Sequence, residues 1–240
     1  MKRLTRLLAI IVISLLALVG CGSDDESNTP SSDLPDITTV LTTASTRISE
    51  TQSLAFVLEI SGNTTIDDSG TIQLLAARGS LARPNLVDVQ FQIQLLGTQT
   101  ASIRMITAGA LSWTTDLITG NWGPAPAEFG YDPAQLFDTQ NGLGPIMGKI
   151  NDAELIGEED VNDQAAWHVR GSVTSETIES ITAGTMKGDS ITLDLWIDQQ
   201  TSDLMQVQLA ESKDAGLDDP ATWTMNLRDH DKPVTIEPPA

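Results

Sequence analysis

The stretch Leu86–Leu96, LVDVQFQIQLL, places Val87, Val89, Phe91, Ile93 and Leu95 on one side of an extended chain and Asp88, Gln90, Gln92 and Gln94 on the other. A strict period of two over this length is the signature of a β-strand with one dry face and one wet face. The pattern recurs in Leu54/Phe56/Leu58/Ile60, Ile72/Leu74/Ala76, Ile191/Leu193/Leu195/Ile197, Met205/Val207/Leu209 and Trp223/Met225/Leu227. So many half-apolar strands with short connections predict one large antiparallel sheet gathering a single apolar surface, since parallel pairing would need long crossovers that do not fit.

Helices are expected to cover that surface. Asp36 can cap a helix to about Glu50, with Ile37, Val40, Leu41, Ala44 and Ile48 on one side. Strands follow at about 53–61, 69–78, 86–96, 100–107 and 110–115, punctuated by Gly62, Gly70, Gly79, Pro84, Gly97 and Gly109. Asn121-Trp122-Gly123-Pro124 breaks the pattern. Asp132-Pro133 then opens a short helix over 134–137, and 142–150 reads as a second, with Leu143, Ile146, Met147 and Ile150 on its apolar side. Strands resume at about 152–160 and 165–173, a short helix capped by Thr174 or Ser175 occupies 175–183, and strands at 190–198, 203–211 and 221–228 complete the sheet. The Pro-rich segment 232–240 trails along or off an edge.

The chain carries 33 acidic and 13 basic side chains, a net charge of −20. Such a field repels phosphate, so no nucleic-acid partner is expected, and adsorption to an anionic membrane by charge is equally disfavoured. Membrane contact must come from the N-terminus, where Lys2, Arg3 and Arg6 precede an apolar run, Leu7–Val19, that is short for a span and flanked like a signal peptide. The run ends in Leu18-Val19-Gly20-Cys21, which resembles a bacterial lipobox, and that resemblance implies a signal peptide over 1–20 and a diacylated Cys21 as the new N-terminus. Cys21 is the only cysteine, so no intrachain disulfide can form and the fold must rely on its core. The polar, acidic residues 21–35 read as a flexible tether holding a single domain, 36–240, on the order of 20 Å from its anchor.

Little in the chain suggests catalysis. His168 lies on the polar register of its strand and His230 in a charged turn; neither has a cysteine or second histidine at ligand spacing, and both read as solvated or hydrogen-bonded surface histidines. There is no GxSxG elbow and no Gly-rich phosphate loop. The acidic runs Glu158-Glu159-Asp160 and Asp214–Asp219 lack EF-hand spacing and read as solvated loops, and Asp67-Asp68-Ser69-Gly70 reads as a hairpin turn. No catalytic residue, metal or cofactor is expected. What remains is the apolar face, and alternation shows that it is dry without showing whether it is filled by helices or hollow.

A resemblance bears on that choice. Trp122 before the helical insert, YDPAQLF at 131–137, NGL at 141–143, the acidic ELIGEEDVND at 154–163 and GSVTSE at 171–176 resemble the central region of the LppX/LprG/LprA/LprF family of bacterial lipoproteins. LWIDQQTSDLMQVQL at 195–209, NLRDHDKPVTIEPP at 226–239 and TTASTRISETQSLAFVLEISG at 42–62 are similar to that family in order and spacing. The resemblance implies an α+β fold in which a strongly curved antiparallel sheet, a half-barrel like the LolA/LolB localisation factors, carries helices over its concave face. It further implies an apolar cavity for the acyl chains of a lipid or glycolipid, carried across the cell envelope by a protein anchored on the extracytoplasmic face of the cell membrane through Cys21. Directional export would need a pump or a sink, so a membrane transporter is a candidate partner. Candidate lining residues, taken from the dry face and the inserted helices, are Leu58, Val89, Phe91, Ile93, Met105, Leu143, Ile146, Met147, Leu193 and Leu195. Two other readings stay open: a non-catalytic envelope scaffold with a filled core, and a hydrolase, which would need His168 or His230 beside both a hydroxyl and a carboxylate.

Overall fold

The computed structural model describes residues 34–67, 69–126, 133–213 and 216–239. The apolar run, Cys21, most of the tether and the Asp132 cap lie outside them, as do parts of the 67–70 turn and the 214–219 run.

Helix α1 (Ile37–Glu50) starts where Asp36 accepts a hydrogen bond from the Thr39 amide, and it buries Val40, Ala44 and Ile48 at helical spacing. Its threonine-rich exposed side adds little intrinsic helicity, so the buried stripe holds it in place. Strands β1 (Ser53–Ser61), β2 (Ile72–Ala82), β3 (Leu86–Leu95), β4 (Gln99–Ala108), β5 (Leu111–Thr115) and β6 (Trp122–Pro124) form one antiparallel meander. Strands β7 (Asn151–Val161), β8 (Gln164–Val173), β9 (Ile191–Asp198), β10 (Leu204–Glu211) and β11 (Thr222–Arg228) form a second. Pairing of β1 with β11 fuses the two into an eleven-stranded sheet with β6 at one edge and β7 at the other. Trp122–Pro124, expected to break the pattern, pairs with β5 instead.

The sheet is open and curved. Twist accumulated over so many strands curls a sheet, and register shifts at Leu74/Ala76 in β2, Leu204/Gln206 in β10 and two places in β7 add bends. Gly79 permits a further close approach, because a Cβ there would lie 2.2 Å from the Asp88 carbonyl oxygen. These shifts also change faces. Past the β2 irregularity the inward register runs through Ala77 and Leu81 rather than Ala76. In β10 Leu204 joins the main core, while Met205 packs with Val161, Ala166 and Trp196.

Since β6 and β7 lie at opposite edges, the chain between them must cross the sheet, and it does so as a 3₁₀ turn (Pro133–Phe137), where a short helix was expected, and helix α2 (Leu143–Met147), shorter than the sequence suggests. Helix α3 (Glu179–Thr182) sits in the β8–β9 connection and is also shorter; Thr174 receives the Thr177 amide before the helix starts. α1 packs on α2, with the Ser45 hydroxyl donating to the Gly144 carbonyl. The segment after β11 has no regular structure, yet Asp231 and Lys232 bond to Ser53 at the start of β1 and Ile236 is buried. One continuous apolar core joins the inward faces of both meanders to the helices. No helix among the described residues is long and apolar enough to cross a membrane.

Candidate functional site

The inward residues of the four central strands do not meet the helices everywhere. Between them lies a cavity of about 730 Å³. Its floor is Phe56 and Leu58 of β1, Leu74 and Ala77 of β2, Phe91 and Ile93 of β3, and Trp223 and Met225 of β11. Pro133 and Leu136 of the 3₁₀ turn, with Ser180, Thr182 and Gly184 in and after α3, form its roof. The space lies where β2 presents only the small Ala77 to the interior, while the roof elements are single turns too short to fill the curve.

The cavity meets solvent between the β1–β2 loop and the segment after α3, where its lining residues Ile66, Glu179, Ala183 and Lys187 are exposed. Both sides of this mouth are held by hydrogen bonds. Asp67 accepts from the Ser69 hydroxyl, from the Ile72 amide at 2.6 Å and from the Thr71 amide and hydroxyl, and these donors, Ser69 foremost, hold its carboxyl well below the usual carboxylate range. Opposite, the buried Glu211 carboxylate accepts from the amides of Lys187 and Ala221 at 2.6 and 2.7 Å. The Trp223 indole donates to the Thr64 hydroxyl at 3.0 Å, so an apolar ring lies on the floor with its one polar atom satisfied. The mouth also offers Thr65, Gln135 and Thr185. The site is an apolar interior with a hydrogen-bonding rim.

Of the candidates named from the sequence, Leu58, Phe91 and Ile93 border this cavity. Val89, Met105, Leu143, Ile146, Met147, Leu193 and Leu195 are buried in the same core without bordering it. Phe56, Leu74, Trp223 and Met225 border it unnamed, although their alternation had placed them on the dry face. What was missing was strand order, because only the β1–β11 pairing brings the two ends of the chain to one floor.

The histidines lie elsewhere. His168 points from the outer face of β8 and is only 3% exposed. Its Nδ1 lies 2.9 Å from Glu159 Oε1, its Nε2 lies 2.6 Å from Asp194 Oδ1, and its ring stacks on Trp196 at 4.5 Å. Arg170 and the Trp196 indole complete the cluster, donating to Asp194 and Glu159 respectively. The Trp196 and His168 bonds hold Glu159 below its ordinary value. His168 is thus hydrogen-bonded as expected but is buried, and its two partners are carboxylates with no hydroxyl among them. His230 is half-buried, with desolvation pushing its pKa down.

Comparison with known proteins follows the fold. The chain is 27% identical over 246 residues to the lipoarabinomannan carrier protein LprG of Mycolicibacterium hassiacum, covering 99% of this chain and 98% of that one. It is 24% identical to the protein of the same name from Mycolicibacterium smegmatis, over 98% of this chain and 95% of that one. Among solved structures, LprF from Mycobacterium bovis superposes with a TM-score of 0.68 at 18% identity, covering 86% of this chain and 98% of LprF. The lipoprotein LppX of Mycobacterium tuberculosis gives 0.58 at 11% identity, covering 84% and 98%. These superpositions carry the fold, and the sequence match carries the kinship: with the model of the LppX_LprAFG lipoproteins matching residues 36–236, the chain belongs to that family.

Proposed function

We propose that this protein is a membrane-anchored lipoprotein that takes up an acyl chain of a lipid or glycolipid in the central cavity and carries it through the cell envelope. The observation that carries the reading is an apolar cavity of about 730 Å³ opening through a polar rim. A methylene is about the size of a water, whose share of the liquid is about 30 Å³. The cavity therefore suits about two dozen methylenes: one long chain, or one chain and part of another.

The energetics fit carriage. Moving a 16-carbon chain from a bilayer into water costs on the order of 12 kcal/mol, at about 0.8 kcal/mol per methylene. An apolar cavity offsets nearly all of that, so uptake and release need neither a nucleotide nor a covalent step. At the rim, the Asp67 charge is engaged within its own turn, and Glu179 and Lys187 are of opposite sign. The hydroxyls of Thr65 and Thr185 and the Gln135 amide suit a sugar-like headgroup, and the names of the LprG relatives agree with a glycolipid. In this reading residues 1–20 are a signal peptide, Cys21 is the lipidated anchor on the extracytoplasmic face, residues up to 35 are the tether, and a membrane transporter supplies or removes the cargo.

The test is lipid extraction and native mass spectrometry of protein purified from its own membrane. The expected result is one acylated lipid per chain. Ala77→Trp, which fills the floor where β2 is smallest, should lower loading at least about fivefold while costing about 1–3 kcal/mol of stability. Folded native protein that carries no lipid would overturn the reading.

A further inference from the structure

Antiparallel pairing puts the β1–β2, β3–β4, β5–β6, β8–β9 and β10–β11 connections at one end of the sheet, and the cavity mouth is at that end, between the β1–β2 and β8–β9 connections. Seven large apolar side chains are exposed among the described residues, and four of them occupy those connections: Ile66, Leu96, Leu117 and Ile118. Ile66 is itself part of the mouth, and the neighbouring β3–β4 tip is tied to the same loop by the Leu96 amide donating to the Thr71 carbonyl.

These tips are built to present their side chains. Leu96 is 74% exposed and has a φ of +49°, a left-handed conformation costly for a residue with a Cβ, where glycine or asparagine would serve a turn better. Ile118 is 92% exposed at the crest of a loop clamped from below, where the Asp116 carboxylate accepts from the amides of Ile118 and Thr119 and from the Thr119 hydroxyl. Rigid loops that hold aliphatic side chains in water gain nothing for the fold.

We propose that this end of the sheet docks on a lipid bilayer, with Leu96 and Ile118 inserting into it and holding the cavity mouth against the surface from which an acyl chain enters. The occupant follows from what is absent as well as present: the tips are aliphatic and separate rather than a continuous protein-binding face, and the chain's −20 charge makes electrostatic adsorption to anionic lipid unfavourable. Docking therefore works by apolar insertion into neutral or zwitterionic regions, and anionic lipid weakens it. The inference rests on the carriage reading for its purpose, and the experiment separates the two.

The segment from Leu34 onward contains every residue of the apolar core and no cysteine, so it serves for flotation with phosphatidylcholine vesicles, alone and mixed with phosphatidylglycerol. The wild-type segment is expected to float with phosphatidylcholine and less with the mixture. Leu96→Asn/Ile118→Asn should lose roughly tenfold of its partitioning per side chain. Leu111→Asn, at a leucine 62% exposed on the opposite end of the sheet, should lose none. A bimane label on Ile118→Cys should shift to the blue when vesicles are added. Absence of flotation, parity of the double variant with wild type, an equal loss in Leu111→Asn or an unshifted label would each overturn docking, whether or not the tips capture another protein. Lipid carried without flotation overturns docking alone; flotation by a protein that carries no lipid overturns carriage alone.

Discussion

Asp231 joins three parts of the fold. Its carboxylate accepts from the Gln52 amide and from Arg47 Nη1, both at 2.7 Å, while Arg47 Nε reaches Asp203 at the same distance. The Gln52 amide, then Arg47, holds the Asp231 pKa below its ordinary value. A depressed folded-state value stabilises the fold above the unfolded aspartate value of about 3.9 and is lost as pH falls through the folded one. Asp231→Asn is therefore expected to lower stability at pH 7 and to reduce the loss seen on acidification below about pH 4, as read by urea midpoints across pH. At the outer face, His168→Leu leaves the buried Asp194 carboxylate with Arg170 as its remaining side-chain partner; a loss of about 2–3 kcal/mol is expected from the same titration. The sequence placed His168 on the outward register but could not bury it. Its cover is Trp196 from the neighbouring strand and Glu159 from the β7 hairpin, contacts set by register rather than by local pattern.

Among the elements, the roof depends on one side chain. The Arg83 guanidinium, between β2 and β3, donates to the carbonyls of Thr51 and Phe137 at 2.8 and 3.1 Å and to Ile48 at 3.4 Å, and it lies over the Phe137 ring at 4.6 Å. It thereby closes the C-terminal end of α1 and fixes the 3₁₀ turn that roofs the cavity. Arg83→Met keeps the stem and loses the fork; a cost of about 2–3 kcal/mol is expected, with faster amide exchange over residues 134–138 than elsewhere. Ten of the eleven strands lie within a few residues of where the sequence placed them, although β7 is scarcely buried on either face and β9 is mostly buried on both; β6, three residues long, is too short to show a period. Faces were misassigned at Ala76 and Met205, where a bulge inserts a residue that alternation cannot register. Both short helices were overextended, α2 at its end, where Gly148 caps it, and α3 at its start, where residues 174–178 form turns instead.

For the molecule as a whole, the hollow was not legible in the residues. Leu193 and Leu195 alternate as regularly as Phe91 and Ile93, yet the first pair packs in solid core and the second borders space. The difference lies in strand order and in how far the crossing helices reach. A partly vacant interior also makes a thermodynamic prediction: a ligand that binds only the folded state raises its stability by RT ln(1 + [L]/Kd), so delipidated protein should melt lower than loaded protein and recover on adding a long-chain acyl lipid. Differential scanning calorimetry of the two forms checks this; equal melting temperatures would argue against occupancy of the cavity. Trp223 and Met225 come from β11 and share the cavity floor with Phe56 and Leu58 of β1, Met225 directly opposite Leu58. A chain emerging N-terminus first can assemble its early hairpins but lacks this central seam until almost all of it has appeared, and such long-range closure is slow. The floor of the container can thus close only once β11 has emerged, so under the carriage proposal a guest would be acquired after synthesis rather than during it.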